Sequence, residues 1–170
     1  PLSFAPQSSR MSPSTRWPTQ LVAPVRVGRG ATLGAGTIDT AANIFTLNGV
    51  IDGAGSIWNS SDVVTIGNFG NGIMTVRNGG AISAAGGFAI AVDPQSVGAL
   101  NIGAAADDAA AAPGTVATAI IQFGAGDGRV VFNHTSAGYA FAPVMIGDGR
   151  INQIAGTTIL TGNSGGFTGN

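Results

Sequence analysis

The residues that could do chemistry cluster near the end of the chain. Gly162-Asn163-Ser164-Gly165-Gly166 differs at one position from the Gly-Asp-Ser-Gly-Gly that surrounds a serine-protease nucleophile. A hydroxyl nucleophile needs a base held by a carboxylate, and an oxyanion hole of backbone N–H groups. His134, the single His, and Asp148 supply the residue types. Two features argue against catalysis. Asn163 stands where the acidic residue would be, and all three side chains fall within one short stretch, whereas a chymotrypsin-like enzyme spreads them over two barrels. The same five letters serve equally well as a turn.

Metal chemistry has less to work with. His134 is accompanied by no other His and by no Cys or Glu that could complete a shell, so it reads as a polar turn residue. Asp107-Asp108 could attract Ca²⁺, but a hard cation asks for about six or more oxygens from a shaped loop, and a solvated loop is the better reading. Gly126-Asp127-Gly128-Arg129 and Gly147-Asp148-Gly149-Arg150 lie 21 residues apart, too far for nine-residue calcium repeats. Gly28-Arg29-Gly30 lacks the third glycine of a dinucleotide fingerprint. Asn59-Ser60-Ser61 and Asn133-His134-Thr135 fit the glycosylation sequon, which carries little weight by itself. Trp17, Trp58 and Tyr139 are scattered and suit core cover better than a sugar-binding face. No catalytic, cofactor-binding or metal-ligating residue is assigned, and no cofactor is expected.

Composition says what must position these side chains. Charged residues make up 9% of 170 positions, against about 25% in ordinary domains. All seven basic residues are Arg and all eight acidic residues are Asp. Without Lys and Glu, long solvent-facing helices lose their usual vocabulary. The 28 glycines, with abundant Thr, Asn, Val and Ile, belong instead to strands and turns. A net charge of −1 removes the basic footprint of a nucleic-acid binder. The absence of Cys is compatible with an oxidising compartment. No run of 18 apolar residues offers a membrane-spanning helix, and no signal peptide is visible, so any export signal is expected upstream of Pro1.

Residues 1–27 hold five of the eight prolines without apolar periodicity and read as an irregular or disordered leader. From residue 28 a phrase recurs in which two glycines flank one residue ahead of an alternating strand. Its second glycines fall at 36, 55, 72, 98, 128 and 149, in steps of 19, 17, 26, 30 and 21. Met74 and Val76, Leu100 and Ile102, and Val130 and Phe132 would then face one way. Units of 20 to 30 residues that cannot bury their own apolar face must stack. Residues 28–170 are therefore expected to form an all-β fold, a right-handed parallel β-helix of about six rungs and about 30 Å in length. Asn48, Asn59, Asn78 and Asn101 are candidates for hydrogen-bonded ladders. The 104–114 interval, rich in Ala and closed by Pro113-Gly114, is expected to be an extruded loop rather than a helix.

Gly147-Asp148-Gly149-Arg150-Ile151, followed by Gly156-Thr157-Thr158-Ile159-Leu160-Thr161-Gly162-Asn163-Ser164 and Gly166-Phe167-Thr168-Gly169, resembles the passenger-associated repeat of Gram-negative bacterial autotransporters. Ile66 to Gly80, Leu100 to Ala106 and Val131 to Thr135 are similar to other phrases of those passenger domains. The likeness covers roughly residues 30–170. It implies a non-catalytic β-helical stem, displayed or released at the bacterial outer-membrane surface, that supports adhesion or host contact. Its implied partners are the protein's own C-terminal outer-membrane β-barrel, missing from this chain, and a host-surface or extracellular-matrix ligand. Under this resemblance the chain is a fragment that stops within a repeat. The alternatives are a polysaccharide-processing enzyme on the same coil and a phage- or fibre-type structural β-helix. Three or more of Asp39, Asp52, Asp62, Asp93, Asp127 and Asp148 in one groove beside an Arg would favour the enzyme.

Overall fold

The computed structural model describes residues 47–170, together with the strands Val25–Val27 and Thr32–Leu33. Every described strand pairs in parallel with its neighbours, and no helix occurs among the described residues. Three faces are built in rotation. The first is a six-stranded sheet of β1 (Val25–Val27), β3 (Leu47–Asp52), β6 (Asn71–Arg77), β9 (Val97–Gly103), β12 (Asp127–Asn133) and β15 (Arg150–Ala155), in that order. The second stacks β2 (Thr32–Leu33), β4 (Ile57–Ser60), β7 (Ala81–Ala84) and β10 (Thr115–Ala117), with β13 (Tyr139–Phe141) and β16 (Thr158–Leu160) paired separately further along. The third stacks β5 (Val64–Ile66), β8 (Phe88–Ile90), β11 (Ile120–Phe123) and β14 (Val144–Ile146). The chain is an all-β parallel β-helix, and its longest face counts six rungs. Of the expected leader, residues 1–24 lie outside the described residues. Val25–Val27, its last three positions, is the opening strand of that face.

The register shows which glycine phrases mark the same place. Gly72 pairs with Gly98 and Gly98 with Gly128, while Gly149 precedes the Arg129–Arg150 pair by one residue. These four glycines therefore form one column at the entry to the first face, and the steps of 26, 30 and 21 are true rung lengths. Backbone and side chains of the third face and the corner after it fill the space a Cβ would need. At Gly98 it would meet Ile90 at 2.6 Å, and at Gly128 it would meet Phe123 at 2.8 Å. Gly53 and Gly55 do not belong to this column. They turn the chain from the first face to the second, and the register partner of Gly72 in the preceding rung is Leu47. The apparent step of 17 thus joined two different corners, because a Gly-x-Gly phrase marks any tight bend. Gly36 lies outside the described residues.

Inside, side chains stack rung on rung. Met74, Leu100, Val130 and Ile151 make one column, and Ile51, Val76, Ile102 and Phe132 the next. Trp58, Ile82 and Val116 line the second face, while Val64, Phe88, Ile121 and Met145 line the third. Nearly all are buried, in keeping with about 1.5–3 kcal/mol for each large aliphatic or aromatic side chain removed from water. Trp58 belongs to this core, and Trp17 lies outside the described residues.

The expected Asn ladders take a different form. Asn101 Nδ2 donates to Thr75 Oγ1 at 3.0 Å, Ser83 Oγ donates to Asn59 Oδ1 at 2.7 Å, and Asn78 Nδ2 donates to Asp52 Oδ1 at 2.8 Å. Each of these Asn residues is matched with a different polar type: Thr75 and Ser83 lie in register with Asn101 and Asn59, whereas Asn78 reaches Asp52, the register partner of Arg77, from one residue further on. Asn48 pairs in register with Ile73.

Candidate functional site

The short connections between strands place most of the candidate side chains at the corners of the coil, where neighbouring rungs decide which can meet. The described 104–114 segment is a loop, as expected, but it is sewn to the rungs on either side rather than free. Asn78 N donates to Ala112 O at 2.8 Å and Gly79 N to Pro113 O at 3.1 Å. Asn133 Nδ2 reaches Ala105 O at 2.6 Å and Asp108 O at 2.9 Å, and Thr135 N donates to Ala111 O at 3.1 Å. The Asp107 and Asp108 side chains are exposed on this loop. No group of three or more His, Cys, Asp or Glu able to hold a metal occurs among the described residues.

Ser164 opens the turn that follows β16. Its carbonyl accepts from Phe167 N at 2.9 Å, and its hydroxyl oxygen accepts from Met145 N at 3.0 Å. It therefore closes a corner against β14. His134 faces elsewhere, with Nε2 2.8 Å from Thr158 Oγ1. Among the described residues no hydrogen bond or ion pair joins any two of Ser164, His134 and Asp148. The structure does not assemble the three.

His134 itself corrects the expectation of a polar turn residue. It is fully buried at 0% exposure, in edge-on contact with Phe132 at 6.3 Å and tilted against Tyr139 at 5.2 Å. Burial pushes its pKa below the ordinary histidine value, with a smaller opposing effect from the Ser136 backbone. The signal was present in the sequence: Val130, Phe132 and His134 share one parity, so a strand that buries the first two aims the third inward as well. Tyr139 is half-buried against the core and donates its hydroxyl to Gly114 O at 2.9 Å. Burial raises its pKa, partly offset by the Val116 backbone.

The aspartates divide among separate corners. Asp52 Oδ2 accepts from both Arg77 Nη2 at 2.8 Å and Nε at 3.0 Å, while its Oδ1 accepts from Asn78, so one carboxylate links successive rungs through both oxygens. Asp62 and Asp93 cap their own turns by accepting from Val63 N at 2.7 Å and Gln95 N at 3.0 Å. Asp127 and Asp148 share a shallow depression of about 120 Å³ with Arg150, and Arg150 Nη2 sits 3.6 Å from Asp127 Oδ1. Two carboxylates beside an arginine fall short of the three that would favour an enzyme, and Asp39 lies outside the described residues. Asn59 is exposed, whereas Asn133 is buried with its amide committed to two carbonyls, so the second sequon is closed to modification in the folded chain.

What the lateral faces offer, then, is a set of polar pairs, with the ion pairs Arg77–Asp52 and Arg150–Asp127 among them, that bind one rung to the next. The chain is 43% identical over 72 residues to the uncharacterized lipoprotein YdeK of Escherichia coli K12, covering 38% of this chain and 5% of that protein. It is 39% identical over 61 residues to the uncharacterized protein YuaQ of the same organism, covering 34% of this chain and 4% of that one. The chain thus spans only a small part of the length of these relatives. No family model matches it, and no solved structure matches it.

Proposed function

We propose that this chain is part of the non-catalytic β-helical stem of an exported bacterial protein of the autotransporter-passenger type. In this reading the stem holds more distal segments away from the outer membrane and supports adhesion or host contact. Its partners are a C-terminal outer-membrane β-barrel elsewhere in the same polypeptide and a ligand on a host surface or extracellular matrix. The observation that carries the reading is the in-register ladder of the first face, from Val25 through Gly49, Met74, Leu100 and Val130 to Ile151. A ladder of this kind grows by adding rungs, each contacting only its neighbours, and makes a long spacer from short repeats. The two much longer relatives support it, and the name lipoprotein carried by one of them is in keeping with an envelope or surface location.

The test is surface exposure of the whole gene product. An epitope inserted between Ala109 and Ala110, on the exposed loop, is expected to be labelled by antibody on intact cells and removed by external protease. Labelling only after lysis would rule out display at the surface. A trimeric assembly in sedimentation, with no barrel downstream, would favour a fibre-type β-helix instead.

A further inference from the structure

At the exit of β12 the His134 ring occupies a closed, apolar place between the last two coils. Nε2 bonds Thr158 Oγ1 in β16, the next rung along, and the His134 amide donates to Ala155 O at 3.2 Å. Gly156, at φ +81°, passes so close that a Cβ there would strike Nδ1. Nδ1 is buried and has no hydrogen-bond partner. The imidazole thus ties the coil of β15 and β16 to the coil of β12 and β13 from inside, whereas Arg150–Asp127 and Ser164–Met145 link the same coils at their outer corners.

No counter-charge faces it. β12 contributes Phe132, and Asn133 turns its amide to Ala105 O and Asp108 O. β13 contributes Tyr139, which burial keeps protonated, and β16 contributes the Thr158 hydroxyl. The loop that bridges to His134 at Ala111 carries Asp107 and Asp108, but both side chains are exposed and neither bonds the ring. In β15 the charged residue is Arg150, which pairs with Asp127.

We propose that His134 is an acid-sensitive clasp: neutral, it holds the β15–β16 coil in place, and protonated, it releases that coil and bares the edges of β12 and β13. A protonated ring carries a buried charge with no counter-ion, a strongly unfavourable state that the Ser136 backbone offsets only in part. In the opened coil the ring meets water and titrates near about 6.5. Because the closed form holds the pKa below that value, the opened form binds more protons just below pH 6.5. The clasp is therefore at full strength above about pH 6.5 and weakens as pH falls. One proton sets the ceiling at about tenfold in the opening equilibrium per pH unit.

His134 is the only His in the chain, so one imidazole resonance reports its titration. Hydrogen exchange on the full 170-residue chain, corrected for intrinsic rates, reads the opening directly. Between pH 6.5 and 5.5 the amides of Thr157 and Thr161, bonded to Ser136 O and Phe141 O, are expected to open up to about fivefold more often, because half of the opened rings are already protonated at about pH 6.5. Those of Ala91 and Val92, bonded to Ile66 O and Gly67 O in earlier coils, are expected to stay unchanged. His134→Gln, which cannot titrate, should abolish the difference. Flat exchange at Thr157 and Thr161, or an equal pH response in His134→Gln, overturns the proposal. Should that variant fail to fold, the imidazole titration decides: a folded-state pKa at or above about 6.5 overturns the clasp, and a lower one supports it.

Discussion

β9 and β15 occupy the same face of the coil, yet their fates differ. In β9 six of seven residues are buried, and Ile102 is 0% exposed. In β15 none is buried, and Ile154 is 47% exposed, as is Leu160 in β16. β15 is the more polar strand, with Arg150, Asn152 and Gln153 against Asn101 in β9, and the two also differ in neighbours. β9 has a strand on each side, β6 and β12, whereas β15 has β12 on one side and, on the other, among the described residues, only Asn170, which accepts from Ile151 N at 2.8 Å. Burial in a stacked coil is thus a property of position in the stack, and the stability of a rung depends on the rungs beside it.

Mutations break or sharpen this contrast in a predictable order, each read from urea-induced unfolding of the full chain. Phe132→Ala removes a buried ring that meets Phe141 edge-on at 5.1 Å, and should cost about 3–5 kcal/mol. Gly103→Ala follows, since Gly103 adopts φ +91° and a Cβ would collide with Asn133 O. It should cost about 1–3 kcal/mol and loosen the 104–114 loop with it. Asn101→Ala leaves the buried Thr75 hydroxyl without its donor, a loss of about 1–3 kcal/mol. Arg77→Ala severs a partly exposed ion pair and should cost less than about 1 kcal/mol, shrinking further at high salt. Ile159→Ala, half exposed in β16, should change stability by less than about 0.5 kcal/mol. If Ile159→Ala rivalled Phe132→Ala, the contrast between middle and terminal coils would collapse.

Much of this architecture was legible because its causes are local. Alternating Met74 and Val76, Leu100 and Ile102, and Val130 and Phe132 do face inward, and the missing helix vocabulary did mean strands. Register was harder to read, since Gly53-Ala54-Gly55 and Gly126-Asp127-Gly128 look alike as letters while bending different corners. The partners of Asn59, Asn78 and Asn101 depend on offsets that vary with each rung, so no single spacing could reveal them. His134 was misread from residue type alone, although strand parity pointed inward. The corner role of Ser164 was visible in its glycine-rich surroundings, but its acceptance of the Met145 amide required the third dimension.

Every interstrand bond in this coil runs along the axis on which the rungs pile up. Tension applied between the two ends would therefore load those bonds head-on, one layer at a time, rather than in shear across a whole sheet. A coil such as that from Asn71 to Val97 spans 26 residues and would pay out on the order of 80 Å of chain as it gives way. Stretched in this way, the molecule would lengthen in steps and absorb a pull gradually instead of snapping.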